Sequence, residues 1–209
     1  MASPWIDRYE ARRRLLEGLQ ENLERETKEA VSANAHVDRV VFRVKGAQSF
    51  AEKAEDPENS PPYIDPLIEI EDQIAGRILV YFLSDLAPIE ERLRETFTTV
   101  ERSERRPARD AEFGYESNHL ICVIPPHVVP NGWTARADLP TTFEIQIRTL
   151  FMHAYAQPQH RLAYKAAQEL PPAVRRELGW MAASAWGADR AYERVRQMLE
   201  ADPPKLRSN

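Results

Sequence analysis

The sequence is poor in cysteine, in long apolar runs and in any large excess of charge. Its single cysteine, Cys122, excludes an intrachain disulfide and lies in an apolar run, where a buried thiol is expected. No run of about eighteen or more apolar residues is present, so no membrane-spanning helix is predicted. The first residues lack the basic and apolar segments of a secretory signal. These absences predict a cytoplasmic protein that contacts no membrane.

The net charge of −5 is small, so the composition does not indicate a DNA-binding protein. The basic triplet Arg12-Arg13-Arg14 is interpreted as the solvated face of a helix, with contact to an RNA backbone as the alternative. No glycine-rich loop ends in Gly-Lys-Ser or Gly-Lys-Thr, which excludes a P-loop.

Hydrophobic periodicity predicts a mixed sheet with helices at both ends, an α/β (α+β) fold. Strands are predicted at residues 38–45, 77–83, 98–101, 118–124 and 141–148. Helices are predicted at residues 4–33, 48–56, 149–165, 171–182 and 184–200, and a further helix capped by Ser84 or Asp85 is expected to end near Phe97. The pattern divides the chain into an N-terminal helix (1–34), a core (35–165) and C-terminal helices with a tail (166–209).

Residues 142–148 alternate between apolar and polar side chains, which is typical of a half-buried strand. One face would present Glu144, Gln146 and Arg148 in a row, an arrangement that suits a metal ion and phosphates. Thr149 is placed to cap the helix that follows.

Asp72 immediately precedes an apolar run that begins with Ile74 and continues beyond Arg77, and Glu144 lies on a second predicted strand. Two carboxylates from neighbouring strands can hold Mg²⁺, which binds oxygen ligands together with water and phosphates. Because the chain has 33 acidic residues, two exposed carboxylates are the alternative interpretation.

Other residues are of the types that bind phosphate groups and a nucleobase. Arg43 and Lys45 share a strand face, and Ser49 and Lys53 follow in a short helix, so together they can form a triphosphate cradle. Tyr115 follows Gly114, a residue type that allows a sharp backbone turn, and could stack on a nucleobase or lie in the core.

His153 and His160 share a helix face but lie about 10 Å apart along its axis, so no zinc site is predicted. Pro158 is expected to kink or break this helix.

Together these motifs resemble the synthetase domain of the RelA/SpoT family, the alarmone synthetases. The similarity covers about residues 35–165 and rests on four segments: Arg43-x-Lys45-x-x-x-Ser49-x-x-x-Lys53, Asp72-Gln-Ile-Ala-Gly76-Arg77-Ile, Gly114-Tyr115-x-Ser117-x-His119, and Glu144-Ile-Gln146-Ile-Arg148-Thr149 with His153 and His160. The resemblance implies a nucleotidyltransferase-like sheet and transfer of pyrophosphate from ATP to the ribose 3′-hydroxyl of GTP or GDP, which yields (p)ppGpp.

The resemblance also implies a role for each matched residue. Asp72 and Glu144 would be catalytic and hold Mg²⁺, with Glu144 also assisting deprotonation of the 3′-hydroxyl. ATP would bind to Arg43, Lys45, Ser49, Lys53 and Arg77, the two arginines enclosing the adenine. The acceptor nucleotide would bind to Tyr115, Ser117, His119, Gln146 and His153.

Several positions depart from the family pattern. Glu116 stands where arginine is common, Glu55 and Asp56 replace a basic pair, and Gln157 and Gln159 replace two acids. The loss of positive charge near Tyr115 favours an acceptor without a 5′-triphosphate close by.

Alternatives therefore stay open beside a GTP or GDP acceptor. One is a toxic synthetase-like enzyme that modifies ATP, ADP or the tRNA 3′ end and has an antitoxin partner. Another is an inactive nucleotide-binding regulator, against which the presence of both Asp72 and Glu144 counts. Since one helix precedes the core, we expect a stand-alone synthetase without hydrolase activity, and self-association is left open.

Overall fold

The computed structural model describes residues 3–57, 61–105, 113, 117–163 and 170–202. The strands are β1 (Val37–Val44), β2 (Ile74–Val80), β3 (Thr99–Arg105), β4 (Ser117–Val123) and β5 (Thr142–Thr149). They form one mixed sheet in the order β1-β2-β5-β4-β3. β2 and β5 run parallel, and the other neighbours are antiparallel. The predicted α+β class is thus confirmed.

Helices flank this sheet, and in the sequence they precede, separate and follow its strands. In the described ranges the α-helices are α1 (Pro4–Glu10), α2 (Arg13–Val31), α3 (Ala47–Ala54), α4 (Pro66–Glu69), α5 (Leu86–Thr96), α6 (Leu150–Ala163) and α7 (Pro172–Ala201). A 3₁₀ turn, Glu71–Gln73, leads directly into β2. Among the helices of these ranges, none combines the length and apolar character needed to cross a membrane.

One face of the sheet carries the hydrophobic core. Phe143, Ile145 and Ile147 of β5 are fully buried there, and α2 packs against it through residues such as Leu16 and Leu19, which recur at the spacing of a helix face. The alternation predicted for β5 is confirmed, and its polar residues therefore lie on the opposite face of the sheet.

Cys122 lies in β4 and is fully buried, as predicted. Burial raises the pKa of its thiol to about 11, so the thiol stays protonated at neutral pH.

The predicted N-terminal helix is wrong in one respect: it is two helices, α1 and α2, separated at Ala11 and Arg12. Arg12 is fully buried, which corrects the interpretation of the whole basic triplet as a solvated face. The neighbours Arg13 and Arg14 remain at the surface.

Further boundaries differ from prediction. β2 begins at Ile74, three residues before the predicted start, because the Glu71–Gln73 turn ends there. β3 extends to Arg105 because it pairs with β4 along its whole length. The two predicted C-terminal helices are a single helix, α7, and α6 continues through Pro158 rather than ending there.

Gly76 packs against an aromatic ring, and this contact gives a testable prediction. It pairs with Phe42 across β1 and β2, and a Cβ atom at this position would meet the Phe42 ring at 2.4 Å. Because Phe42 is buried, we expect Gly76→Ala to lower the free energy of unfolding by about 1–3 kcal/mol, the usual cost of overpacking.

Urea denaturation measures this loss. Gly76→Ala combined with Phe42→Leu should lose less than the sum of the two single variants, because the smaller side chain relieves the clash. A Gly76→Ala protein as stable as the wild type would contradict the packing.

Candidate active site

The strand register aligns polar side chains from several strands on the face opposite the core. Gln146 of β5 pairs with Arg77 of β2 on one side and with His119 of β4 on the other. Glu144 and Arg148, two residues to either side of Gln146, share its face. Residues far apart in sequence therefore meet in one polar surface.

A hydrogen-bond chain runs across this surface. His119 Nδ1 donates to Glu144 Oε1, and Gln146 Nε2 donates to Glu144 Oε2 at 2.9 Å. The Gln146 carbonyl oxygen accepts from Arg77 Nη2 at 3.3 Å and from Arg148 Nη2. The second ring nitrogen of His119 contacts Ser117 Oγ. Glu144 is held in one orientation by these neighbours.

Glu144 is almost fully buried and yet favours its ionised form. Burial alone would raise the pKa of its carboxyl group, but the hydrogen bond and charge of His119, together with the Gln146 amide, lower the pKa below its ordinary value. Glu144 is therefore a carboxylate at neutral pH, able to bind a cation or accept a proton.

Asp72 lies between two lysines. Lys45 Nζ donates to its Oδ2 at 2.7 Å, and Lys53 Nζ donates to its Oδ1 at 2.9 Å. Burial acts to raise the pKa of Asp72, but the two ammonium groups outweigh it and the pKa is lowered. Lys45 directly follows β1 and Lys53 belongs to α3. Two separate segments therefore bring positive charge to Asp72.

The two carboxylates are electrostatic neighbours. Asp72 comes three residues before Ala75, which pairs with Glu144 in the sheet, and the charge of Asp72 raises the pKa of Glu144. Within the described ranges no three His, Cys, Asp or Glu side chains could hold a metal by themselves. Two ionised carboxylates nevertheless fit Mg²⁺, which usually takes one or two carboxylates and fills its other positions with water and phosphate oxygens.

A cleft opens beside this pair, with a volume of about 230 Å³. Arg43 of β1 and Arg77 of β2 both line it. The pKa of Arg77 is lowered by burial and then by the charge of Arg43, so the two guanidinium groups lie near each other. Paired guanidinium groups suit a flat aromatic ring, on whose faces they can stack.

His153 of α6 also lines the cleft. Its pKa is lowered by burial and by the charges of Arg77, Arg148 and Arg39, so the imidazole is neutral at pH 7. A neutral ring can donate through one nitrogen and accept through the other.

Ten of the twelve site residues expected from the sequence fall into three neighbouring groups. Asp72, Lys45 and Lys53 form one cluster; Ser117, His119, Glu144 and Gln146 form the chain next to it; Arg43, Arg77 and His153 line the cleft. Ser49 has an exposed side chain on α3. Tyr115 lies outside the described residues, as does the side chain of His160.

Two polar residues that line the cleft, Arg39 and Gln157, were not predicted from the sequence to do so. Arg39 could have been found, because it lies four residues before Arg43 and therefore on the same face of β1. Gln157 follows His153 by one helical turn, which places it on the same side of α6.

The lowered pKa of Asp72 makes stability depend on pH. A carboxyl group with a lower pKa in the folded state stabilises the protein above its unfolded pKa of about 3.9, and this contribution is lost as the pH falls through the folded value. We expect the stability gap between the wild type and Asp72→Asn to shrink on acidification from about pH 5 to pH 2. Urea unfolding at each pH measures the gap, and widening at low pH would contradict the ion pairs.

The sequence of the chain is similar to those of known proteins. A family model described as the region found in RelA / SpoT proteins matches residues 42–169. The GTP pyrophosphokinase YjbM of Bacillus subtilis (strain 168) is 32% identical over 163 residues, which span 77% of this chain and 72% of that protein.

Solved structures show the same fold. Small alarmone synthetase 1 from Bacillus subtilis superposes with a TM-score of 0.77 at 24% identity, covering 93% of this chain and 99% of that one. A structure of the same synthetase bound to its product pppGpp has a TM-score of 0.67 at 27% identity, covering 90% and 94% of the two chains.

Proposed function

Because the chain belongs to the family of RelA/SpoT proteins, we propose that it is a pyrophosphotransferase that moves pyrophosphate from ATP to the ribose 3′-hydroxyl of GTP or GDP. The observation that carries this proposal is the electrostatic proximity of two ionised carboxylates, Asp72 in the turn before β2 and Glu144 on β5. Cations surround this pair on β1, β2 and α3. The product would be (p)ppGpp.

ATP would occupy the cleft and the lysine cluster. The adenine would lie between the guanidinium groups of Arg43 and Arg77, which both line the cleft. Lys45 and Lys53 would exchange part of their contact with Asp72 for the phosphates, since an ammonium group has three donors. Ser49 belongs to this proposal as a phosphate ligand on the exposed side of α3.

The fixed positive charges would stabilise the transition state. As the 3′-oxygen bonds to the β-phosphorus, the bond to the bridging oxygen of AMP breaks, and negative charge spreads over the transferring phosphates. Preorganised cations stabilise this charge more than that of the bound substrate. Asp72 and Glu144 would hold Mg²⁺, which when bound supplies further charge neutralisation and orients the phosphates.

The acceptor would approach from the side of β4. Glu144 would accept the proton of the 3′-hydroxyl, because its lowered pKa keeps it ionised. Ser117, His119, Gln146 and His153 would line the acceptor pocket, with Tyr115 stacking on the base. The relative bound to pppGpp supports a guanine nucleotide as the acceptor.

The sequence also favours a second class of acceptor. Glu116 brings a negative charge next to Tyr115, the residue proposed to stack on the acceptor base. Negative charge there would repel the 5′-triphosphate of an acceptor, which an adenine nucleotide with fewer phosphates or a tRNA 3′ end would not bring to the same place.

A transfer assay distinguishes these acceptors. The purified protein is incubated with γ-labelled ATP, Mg²⁺ and one acceptor at a time: GTP, GDP, ATP or tRNA. We expect the label to move to GTP or GDP at least about tenfold faster than to the others, which corresponds to 1.4 kcal/mol of discrimination. Faster labelling of ATP or tRNA would support the toxic type of enzyme. No transfer to any acceptor would refute the proposed reaction.

A further inference from the structure

Arg12 is an unusual residue in this fold because its side chain is completely buried. It lies at the break between α1 and α2, while the adjacent Arg13 pairs at the surface with Glu10 and Glu17. Its guanidinium carbon lies 5.1 Å from the ring centre of Tyr9 and 5.8 Å from that of Phe50. The two rings stack on each other, with centroids 4.3 Å apart, and shield the cation from solvent.

The guanidinium group joins two segments that are distant from it and from each other in sequence. Its Nη1 donates to the backbone oxygen of Leu67 at 3.0 Å and to that of Asp138, and its Nη2 donates to Gln73 Oε1 at 3.0 Å. All three acceptors are neutral oxygens. Burying a cation in this way costs solvation energy and is a poor means of stabilising a fold. The contacts of Arg12 therefore indicate that it holds the contacted segments in place.

The first of these segments carries Asp72. Gln73, the next residue, is fully buried, and its Nε2 donates to the backbone oxygens of Leu67 and Ile70, each at 2.9 Å. The Gln73 backbone oxygen in turn accepts from the Lys45 backbone N–H at 2.8 Å. The orientation of this one side chain therefore fixes the turn that presents Asp72, and Arg12 fixes the side chain.

The second segment leads to Glu144. Asp138 precedes β5, and its carboxylate pairs at the surface with Arg136, at 2.7 and 2.8 Å. Its backbone oxygen is the atom that faces Arg12. One guanidinium group thus contacts both the turn that carries Asp72 and the approach to the strand that carries Glu144.

We propose that Arg12 is a positioning residue that sets the distance between the two acidic segments of the site, acting through Gln73 and the Asp138 backbone. The proposal rests on the function proposed above, because the separation of Asp72 and Glu144 matters when both act on one ATP. Arginine suits this role because its planar guanidinium group donates to acceptors in several directions, whereas a lysine ammonium group reaches fewer of them at once.

Arg12→Met keeps the length and apolar stem of the side chain but removes every donor. The matched control is Arg14→Met, which changes a neighbouring arginine whose side chain is exposed. We expect Arg12→Met to lower kcat by about 10–100-fold, as loss of a residue that supports a catalytic group does, with the KM for ATP changed by less than about threefold. Arg14→Met should behave as the wild type.

Two readouts separate positioning from general instability. Amide hydrogen exchange should rise in residues 67–74 and 138–144 of Arg12→Met while α5 keeps its protection. Gln73→Met should show a similar fall in kcat, and the double variant should lose no more than the worse single variant, because both changes break one network.

Opposite results would overturn the proposal. Unchanged exchange in residues 67–74 and 138–144 would do so, as would a uniform rise that includes α5, or additive losses in the double variant. If the wild type transfers pyrophosphate to no acceptor, the proposed function fails, and the exchange experiment alone still decides whether Arg12 fixes the two segments.

Discussion

Replacement of Glu144 by glutamine is expected to lower kcat for pyrophosphate transfer by about 10³-fold, within the range for loss of a general base. The amide has nearly the same shape, but it cannot take up the proton of the 3′-hydroxyl and is a weaker ligand for Mg²⁺. It also leaves one acceptor oxygen where the carboxylate offers two, one to His119 Nδ1 and one to Gln146 Nε2 at 2.9 Å. Steady-state transfer to GTP, with thermal unfolding measured in parallel, tests this expectation.

Glu90→Gln is the matched control for this variant. Glu90 is also a buried carboxylate, and it accepts hydrogen bonds from Arg102 and from the β4 residue Asn118. Asn118 and His119 are consecutive in β4, so Glu90 lies on the core side of the sheet. We expect Glu90→Gln to lower stability and leave kcat unchanged. A Glu144→Gln enzyme within about threefold of the wild type would remove Glu144 from the proposed mechanism.

The second large effect is expected for Asp72→Asn, with kcat lowered by about 10²-fold or more through loss of a charged metal ligand. ATP binding should be retained or become tighter, because Lys45 and Lys53 lose the carboxylate that now holds them at 2.7 and 2.9 Å. The Mg²⁺ concentration that gives half-maximal rate should rise. Separate measurements of kcat, of ATP affinity and of the Mg²⁺ dependence test these three expectations.

Asp85→Asn controls for the loss of an ion-paired aspartate. Asp85 is buried and its Oδ1 contacts His36 Nδ1 at 3.0 Å, and neither residue belongs to the proposed site. The variant should transfer pyrophosphate at the wild-type rate. If Asp72→Asn instead lost ATP affinity with kcat preserved, Asp72 would be organising the lysines for substrate binding and not the reacting phosphates.

Local sequence signals predicted the parts of the protein that depend on neighbouring residues. The alternation from Phe143 to Arg148 identified β5, its buried face and its polar row without reference to the rest of the chain. Thr149 was predicted as a helix cap, and its Oγ1 accepts from the Met152 backbone N–H at 3.1 Å. The class of the sheet followed from the spacing of such segments.

Features that depend on tertiary contacts were not accessible in the same way. Arg12 sits in a run of three arginines, and its contacts with residues distant in sequence, such as Leu67, Gln73 and Asp138, distinguish it from its neighbours. The start of β2 moved because the Gln73 side chain stabilises a turn that no local propensity favours. The lysine pairs of Asp72 join residues 27 and 19 positions apart, beyond the reach of helix or strand periodicity.

The parallel pairing of β2 with β5 has a consequence for synthesis on the ribosome. Arg77 and Gln146 are in contact across these strands although they lie 69 positions apart in the chain. A growing polypeptide that has not yet released residue 149 lacks the inner strand of its sheet and one of the two acids. The sheet, and with it the polar face that carries Glu144, can therefore form only after β5 has been synthesised.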